Sequence, residues 1–421
     1  MTVQSDDRSI LHALFQAALD AARPAGKFAG RLPEPPKGRT IVLGAGKAAA
    51  SMAQAFESEW EQPFEGLVVT RYGHRAPTRR IEVVEAAHPV PDAAGVAAAQ
   101  RILDLATGAG PDDLVVCLMS GGASALLSLP APGLTLDDKQ AVTKALLHSG
   151  APIGAMNEVR KALSAIKGGR LAAAAGPARL VTYVISDVPG DDPASIGSGP
   201  TIPGMSSPGE VHRILERYGV AVPPHVASVI ERNAVPTGVG GEVHMIATPK
   251  ISLDAAAHAA RHMGLTPLIL GDAIEGEARE VGTVMAGIAR SVARHGEPVR
   301  SPCVLLSGGE TTVTVRGKGR GGRNAEFLLS LATALQGAPG IAGLAADTDG
   351  IDGSEDNAGV WFDDRFVASA GERGVDLGAA LTRNDAYGAF AAMDRLVMTG
   401  PTLTNVNDFR AILIRNDRIR P

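Results

Sequence analysis

Two hydrophobic periods share this chain. Over residues 10–22 the apolar positions Leu11, Leu14, Phe15 and Ala18 fall three or four apart, which predicts an amphipathic helix, and Pro24 ends it. After a Pro-rich link the pattern becomes short apolar runs at 40–43, 66–70, 81–85, 114–119 and 180–185. Helical periodicity separates them at 47–59, 93–106, 137–148 and 153–175. Runs that are apolar on both faces suit the strands of a parallel sheet covered on each side. Strand alternating with helix predicts a doubly wound α/β domain, whose ligands bind beyond the carboxyl ends of the strands.

The texture changes at 222–243, where Pro, Gly and Val crowd together, and this marks a domain junction. Alternation then resumes, with strands expected at 244–248, 268–270 and 304–306 and helices at 253–262 and 276–294, so the second half reads as its own α/β domain. The strand at 114–119 runs into Ser120-Gly121-Gly122 and the one at 304–306 into Ser307-Gly308-Gly309. This short echo reads as one strand-to-anion-loop device used twice.

Composition narrows the class. With 421 residues, 45% hydrophobic and 20% charged, the chain can bury a core in two or three domains. A net charge of −5 supplies no field for nucleic acid, and no basic cluster suits a membrane surface. No run approaches the ~18 apolar residues of a membrane span. The first residues carry acids and no basic region ahead of an apolar stretch, unlike a leader, so a cytoplasmic setting is expected. Cys117 and Cys303 lie in apolar runs and are expected to be core thiols rather than a disulfide or metal pair. Oligomeric state stays open, a homodimer included.

The chemistry-bearing residues stand at strand ends. Gly44-Ala45-Gly46-Lys47-Ala48-Ala49 satisfies a relaxed dinucleotide fingerprint, but the next strand ends in Thr70-Arg71 instead of the usual acid. Lys47 at a helix N-terminus adds a charge suited to phosphate. Ser120-Gly121-Gly122-Ala123-Ser124 and Ser307-Gly308-Gly309-Glu310 offer backbone amides and hydroxyls to an anion. Asp187, Asp191 and Asp192 crowd one strand end, which suits a cation and a proton acceptor. Arg323 follows a Gly-rich basic loop into the first turn of a helix. A cation is disfavoured there, and an anionic ligand would resolve the conflict. The acids of Asp347-Thr348-Asp349-Gly350 do not complete a calcium loop and suit metal–nucleotide or hydroxyl contacts better. Arg160 and Lys167 are seven apart on the predicted helix, and either is a candidate clamp for a carboxylate. His74 and His88 read as structural.

Taken in order, GAGKAAASMA (44–53), EAAHPVPDAAG (85–95), LMSGGASALL (118–127), NEVRKALSAIKGGRLA (157–172), ISDVPGDDPASIGSGPT (185–201), LSGGETTVTVRGKGRGGRNAE (306–326), DTDGIDGSEDNAG (347–359) and TGPTLTNVNDF (399–409) make the chain resemble the class II glycerate kinases. This is the glycerate 2-kinase family with a C-terminal MOFRL domain. The resemblance implies a large Rossmann-like domain over 1–237, a smaller α/β domain over 238–421 with its MOFRL region at about 300–415, and an active site in the cleft between them. It implies transfer of phosphate from ATP to the 2-hydroxyl of D-glycerate with Mg²⁺. By motif it makes Lys47, Asp187 and Arg323 catalytic. Gly44, Gly46, Ser120, Gly121, Gly122, Ser307, Gly308, Gly309 and Glu310 become nucleotide or phosphate contacts. Arg160, Asp192, Asn324 and Asp349 become substrate contacts, and Asp187 and Asp349 metal ligands. Ala155, Ala162, Ala325 and Asp347 depart from the family pattern, which touches substrate contacts rather than phosphate chemistry. The rival reading, an NADP-dependent hydroxypyruvate reductase, rests on Gly44, Gly46, Ala49 and Arg71 and leaves the acids at 187–192 unexplained.

Overall fold

The computed structural model describes residues 6–204 and 207–415; the first five residues of the N-terminal stretch considered above lie outside these. Two compact units form: Arg23–Ile246, and the chain from Ala247 onward joined by the stretch up to Ala22. The division expected at 237/238 therefore falls later, within a strand, and the N-terminal helix leaves the first domain for the second. The reason is its apolar stripe. Leu11, Leu14, Phe15 and Ala18 are buried as expected, but against Leu253, Leu344 and Phe409 of the second unit.

The first unit is built on β1 Thr40–Ala45, β2 Glu65–Arg71, β3 Ile81–Ala86, β4 Leu114–Ser120, β5 Arg179–Ile185 and β6 Glu242–Ala247, ordered β3-β2-β1-β4-β5-β6. The pairings from β3 through β5 are parallel. β1 and β4 are buried along their whole length, as double-faced burial requires. Helix Ala93–Thr107 covers the face that carries Ile41, Leu43, Leu67 and Val69. Helices Leu136–His148, Ile153–Ala162, Pro208–Arg217 and Pro224–Arg232 form a separate layer around Val142, Leu146, Val159, Val211 and Ile230. The helix expected over 153–175 breaks in two, Ile153–Ala162 and Arg170–Ala175. Gly168 and Gly169 take left-handed φ of 61° and 82° between them, and Ser164 Oγ accepts the Ile166 and Lys167 N–H groups.

The second unit contains β7 Thr266–Gly271, β8 Gly276–Glu277, β9 Cys303–Ser307, β10 Thr311–Thr312, β11 Ile341–Asp347, β12 Gly359–Phe362, β13 Leu396–Val397 and β14 Asp408–Ile414. Its main sheet runs β13-β12-β11-β14-β9-β7. β14 lies antiparallel between β11 and β9, and among the described residues β7 and β9 form the parallel pair of this sheet. This mixed sheet was not legible from the alternation of elements. β11 (IAGLAAD) has too few branched or aromatic residues to signal a strand, and β14 (DFRAILI) buries two charges. Helices Ala278–His295 and Arg323–Leu335 cover one face through Phe327, Leu331 and Phe362, and the N-terminal helix covers the other. Cys117 and Cys303 are buried and free, and burial pushes their thiols up to about 12 and about 11.

Candidate functional site

The strand order of the first unit reverses between β1 and β4, and a crevice at such a switch point is where a doubly wound sheet binds its ligand. The two loops that leave there are braced on each other. Lys47 N–H donates to Gly121 O (2.8 Å), Ala48 N–H to Ser120 Oγ (3.0 Å) and Gly46 N–H to Val69 O (3.1 Å). These amides are spent inside the protein, so the β1 loop is a scaffold for the Lys47 side chain rather than a bare phosphate cradle. Gly44 sits inside β1 in close packing with Leu118. Gly46 has φ +131°, and a Cβ on it would overlap Ser120 Oγ and O. A Gly46→Ala chain is expected to lose roughly 2–4 kcal/mol of stability, read as a lower urea midpoint at unchanged slope.

Beside this junction lies a cavity of about 550 Å³ lined by His88, Gly122, Ser124, Lys139, Arg160 and Lys167 among others. Gly122 (φ +80°) forms its lip, and a Cβ built there would stand 3.1 Å from the His88 ring and 3.2 Å from Lys47 Cγ. Ser124 Oγ hydrogen-bonds Ser198 Oγ (2.8 Å), and Arg160 donates to Asn157 Oδ1 (3.2 Å). Lys139 Nζ donates to Leu129 O and Lys167 Nζ to Gly197 O, both at 3.3 Å. Burial, then Arg160, pulls the Lys139 ammonium down to about 7. Burial, then Lys139 and Arg160, pulls Lys167 well below its ordinary value, and burial also lowers Arg160. Arg160 and Lys167 thus reach one site although the helix between them breaks. The sequence does not single out Lys139, and it reads His88 as structural. Lys139 hides in a stretch, LDDKQ, that reads as a solvated helix face, and His88 follows a strand with no partner visible in sequence.

Asp187 stands at the carboxyl end of β5, half-buried. Asp192 does not line the cavity: it is exposed, and its carboxylate holds the Ala194 N–H (3.1 Å) and the Ser195 hydroxyl (2.7 Å).

In the second unit Arg323 opens helix Arg323–Leu335, as expected, but protein carboxylates resolve its conflict with the helix N-terminus. Its guanidinium donates to Asp408 Oδ1 (2.8 Å), Glu310 Oε1 (2.7 Å) and Asp347 Oδ2 (2.8 Å). Burial works against the charge, yet Asp408, Asp347 and Glu310 outweigh it and hold the guanidinium well above its ordinary range. Glu310 is the exposed member of this set. Asn324 is fully buried, and its Nδ2 donates to Asp408 Oδ1 (2.8 Å). Asp352 accepts the Asn324 N–H (3.0 Å) and Ala325 N–H (2.9 Å) at the helix start, and burial raises its carboxyl to about 6. Asp349 is 2% exposed and accepts the Ile351 N–H (2.9 Å) within its own loop. Gly308 N–H donates to Gly271 O (2.9 Å), and a Cβ on Gly309 would overlap Ile274. The Ser307 loop, like its echo, is braced by a neighbouring turn.

Comparison with known proteins fits both units. Residues 10–231 match a domain of unknown function, DUF4147, and residues 303–408 match the MOFRL family. The D-glycerate 2-kinase of Thermotoga maritima is 38% identical over 94% of this chain and 95% of its own. The chain belongs to the class II glycerate kinase family. The crystal structure of the Thermotoga maritima glycerate kinase superposes with a TM-score of 0.89, over 96% of this chain and 98% of that one, at 38% identity. An Agrobacterium vitis protein, 54% identical over 97% of this chain and 94% of its own, carries the provisional name hydroxypyruvate reductase. Within the glycerate kinase family, the DUF4147 match takes in the switch-point cavity and the N-terminal helix, and the MOFRL match takes in Arg323 and its three acids.

Proposed function

We infer that the chain is a glycerate kinase that transfers the γ-phosphoryl group of ATP to D-glycerate at the 2-hydroxyl. The observation that carries this reading is the placement of Lys47 beside a cation-lined cavity at the switch point, in a chain aligned end to end with a D-glycerate 2-kinase. Lys47 neutralises charge on the oxygens of the transferring group, where electrostatic stabilisation contributes most to phosphoryl transfer. Asp187 accepts the proton of the attacking hydroxyl as the new O–P bond forms and the bond to the β-phosphate breaks. Arg323, in the second unit, is suited to phosphoryl oxygens if they displace the exposed Glu310 carboxylate from its guanidinium.

Among the described residues no group of three or more His, Cys, Asp or Glu can hold a metal ion. Mg²⁺ needs only one or two protein carboxylates when it arrives on nucleotide phosphates, and Asp187 is the side chain suited to hold it; the ion would neutralise phosphate charge there. Asp349 is spent in its own loop and fits that role less well.

Full-length protein given ATP and Mg²⁺ is expected to release ADP only when D-glycerate is added. With hydroxypyruvate and NADPH, absorbance at the nicotinamide band is expected to stay constant. Glycerate-independent ADP release, or NADPH consumption, contradicts the reading.

A further inference from the structure

The cavity of the first unit shows how the acceptor would be recognised, and this inference rests on the kinase reading above. Lys139 comes from helix Leu136–His148, Arg160 from helix Ile153–Ala162 and Lys167 from the turn that follows, and all three line the same wall. Among the described residues each keeps a single neutral acceptor, at 3.2–3.3 Å. A lysine has three donors and an arginine five, so most of this donor capacity is unspent. Among the described residues no Asp or Glu lines the cavity. Like charges gathered in a poorly hydrated wall cost stability unless an anion completes the set.

We propose that Lys139, Arg160 and Lys167 together bind the carboxylate of a small 2-hydroxy acid, the phosphoryl acceptor. Charge and metal chemistry favour this occupant over the nucleotide. A magnesium nucleotide brings a cation that seeks protein carboxylates, and the described residues of this wall include cationic side chains but no carboxylate. A lone carboxylate is satisfied by such a wall, with Arg160 offering a bidentate fork and the lysines point charges. The Ser124 hydroxyl on the same wall is available to the acid's own hydroxyls.

Proton linkage follows. With Lys139 held down to about 7, the empty site sheds charge as pH rises through neutrality, and an arriving anion draws a proton back. His88 and Lys144 line the same cavity, so the effect of pH is read in the variants as well as in the parent. A lysine whose folded pKa is depressed also costs stability below that value, a deficit relieved as pH rises from about 7 towards 10.5.

The test uses the full chain carrying Lys139→Met or Lys167→Met. Losing a charge-assisted contact is expected to raise KM for D-glycerate about tenfold or more, while KM for ATP stays within about twofold. Melting temperature at pH 7 is expected to hold or rise, because the substitution removes a buried charge, whereas a merely structural lysine would lower it. Calorimetric titration of the parent with D-glycerate alone is expected to show proton uptake in buffers of different ionisation enthalpy, and the variants are expected to lose both heat and protons. An unchanged KM for D-glycerate, or a rise confined to ATP, overturns the assignment. If the parent makes no ADP from glycerate, the kinase reading fails, and the triad is then decided by the calorimetry: D-glycerate binding lost in the variants sustains it, and absent or unaltered binding overturns it.

Discussion

Replacing Lys47 by Met, or Asp187 by Asn, is expected to lower kcat by about 10³-fold while leaving the fold and D-glycerate binding in place. The size follows from the chemistry assigned to each. A positioned donor on developing charge accounts for roughly 10²–10³ in kcat, and a positioned proton acceptor for roughly 10²–10⁴. The selectivity follows from the structure. The backbone of Lys47 is fixed by its N–H bond to Gly121 O and by its carbonyl, which accepts the Thr70 hydroxyl at 3.3 Å, so the loop keeps its shape when the side chain changes. Single-turnover kinetics with calorimetric glycerate binding check this. A loss confined to KM would move both residues from the reaction to substrate binding.

The largest expected effect on stability lies in the second unit. Asp408 in β14 is 2% exposed and accepts from Arg323, Asn324 and Arg410. Arg410 is 1% exposed and stacks over Phe327, 5.1 Å from the ring centroid. It also donates to Gly308 O at 3.1 Å, which ties the Ser307 loop to the sheet. Asp408→Ala leaves a buried guanidinium without its acid and is expected to cost about 3–5 kcal/mol. Asp408→Ala combined with Arg410→Leu is expected to recover much of that loss, because no charge is then left stranded. Urea unfolding of the three chains measures the difference, and a single-variant loss below about 1 kcal/mol contradicts the network's importance.

The first unit was legible in sequence because its signals are local. Each strand is a short apolar run, each helix has its stripe, and the glycines at 44, 46 and 122 mark places where a side chain would collide. The second sheet was less legible because antiparallel β14 inserts from the far end of the chain between β9 and β11, a pairing no nearby residue announces. Arg323 was found from its unfavourable position at a helix start, but its counter-charges come from Glu310, Asp347 and Asp408, scattered along the sequence. Lys139 was invisible because its burial depends on a helical layer assembled from four separate segments. Arg160 and Lys167 are seven apart, a spacing that puts them on one face only where the helix is continuous. They meet in the cavity because the helix ends at Ala162 and a turn braced by Ser164 Oγ carries the chain to Lys167.

Phosphoryl transfer to the 2-hydroxyl of glycerate is tested most directly by phosphorus NMR of a reaction of the full chain with ATP, Mg²⁺ and D-glycerate. The γ-phosphate signal of ATP is expected to decay as a monoester resonance grows, split by the single proton on C2, with ADP in equal amount. A resonance split by the two protons of C3, or ATP consumed without any phosphomonoester of glycerate, would contradict it.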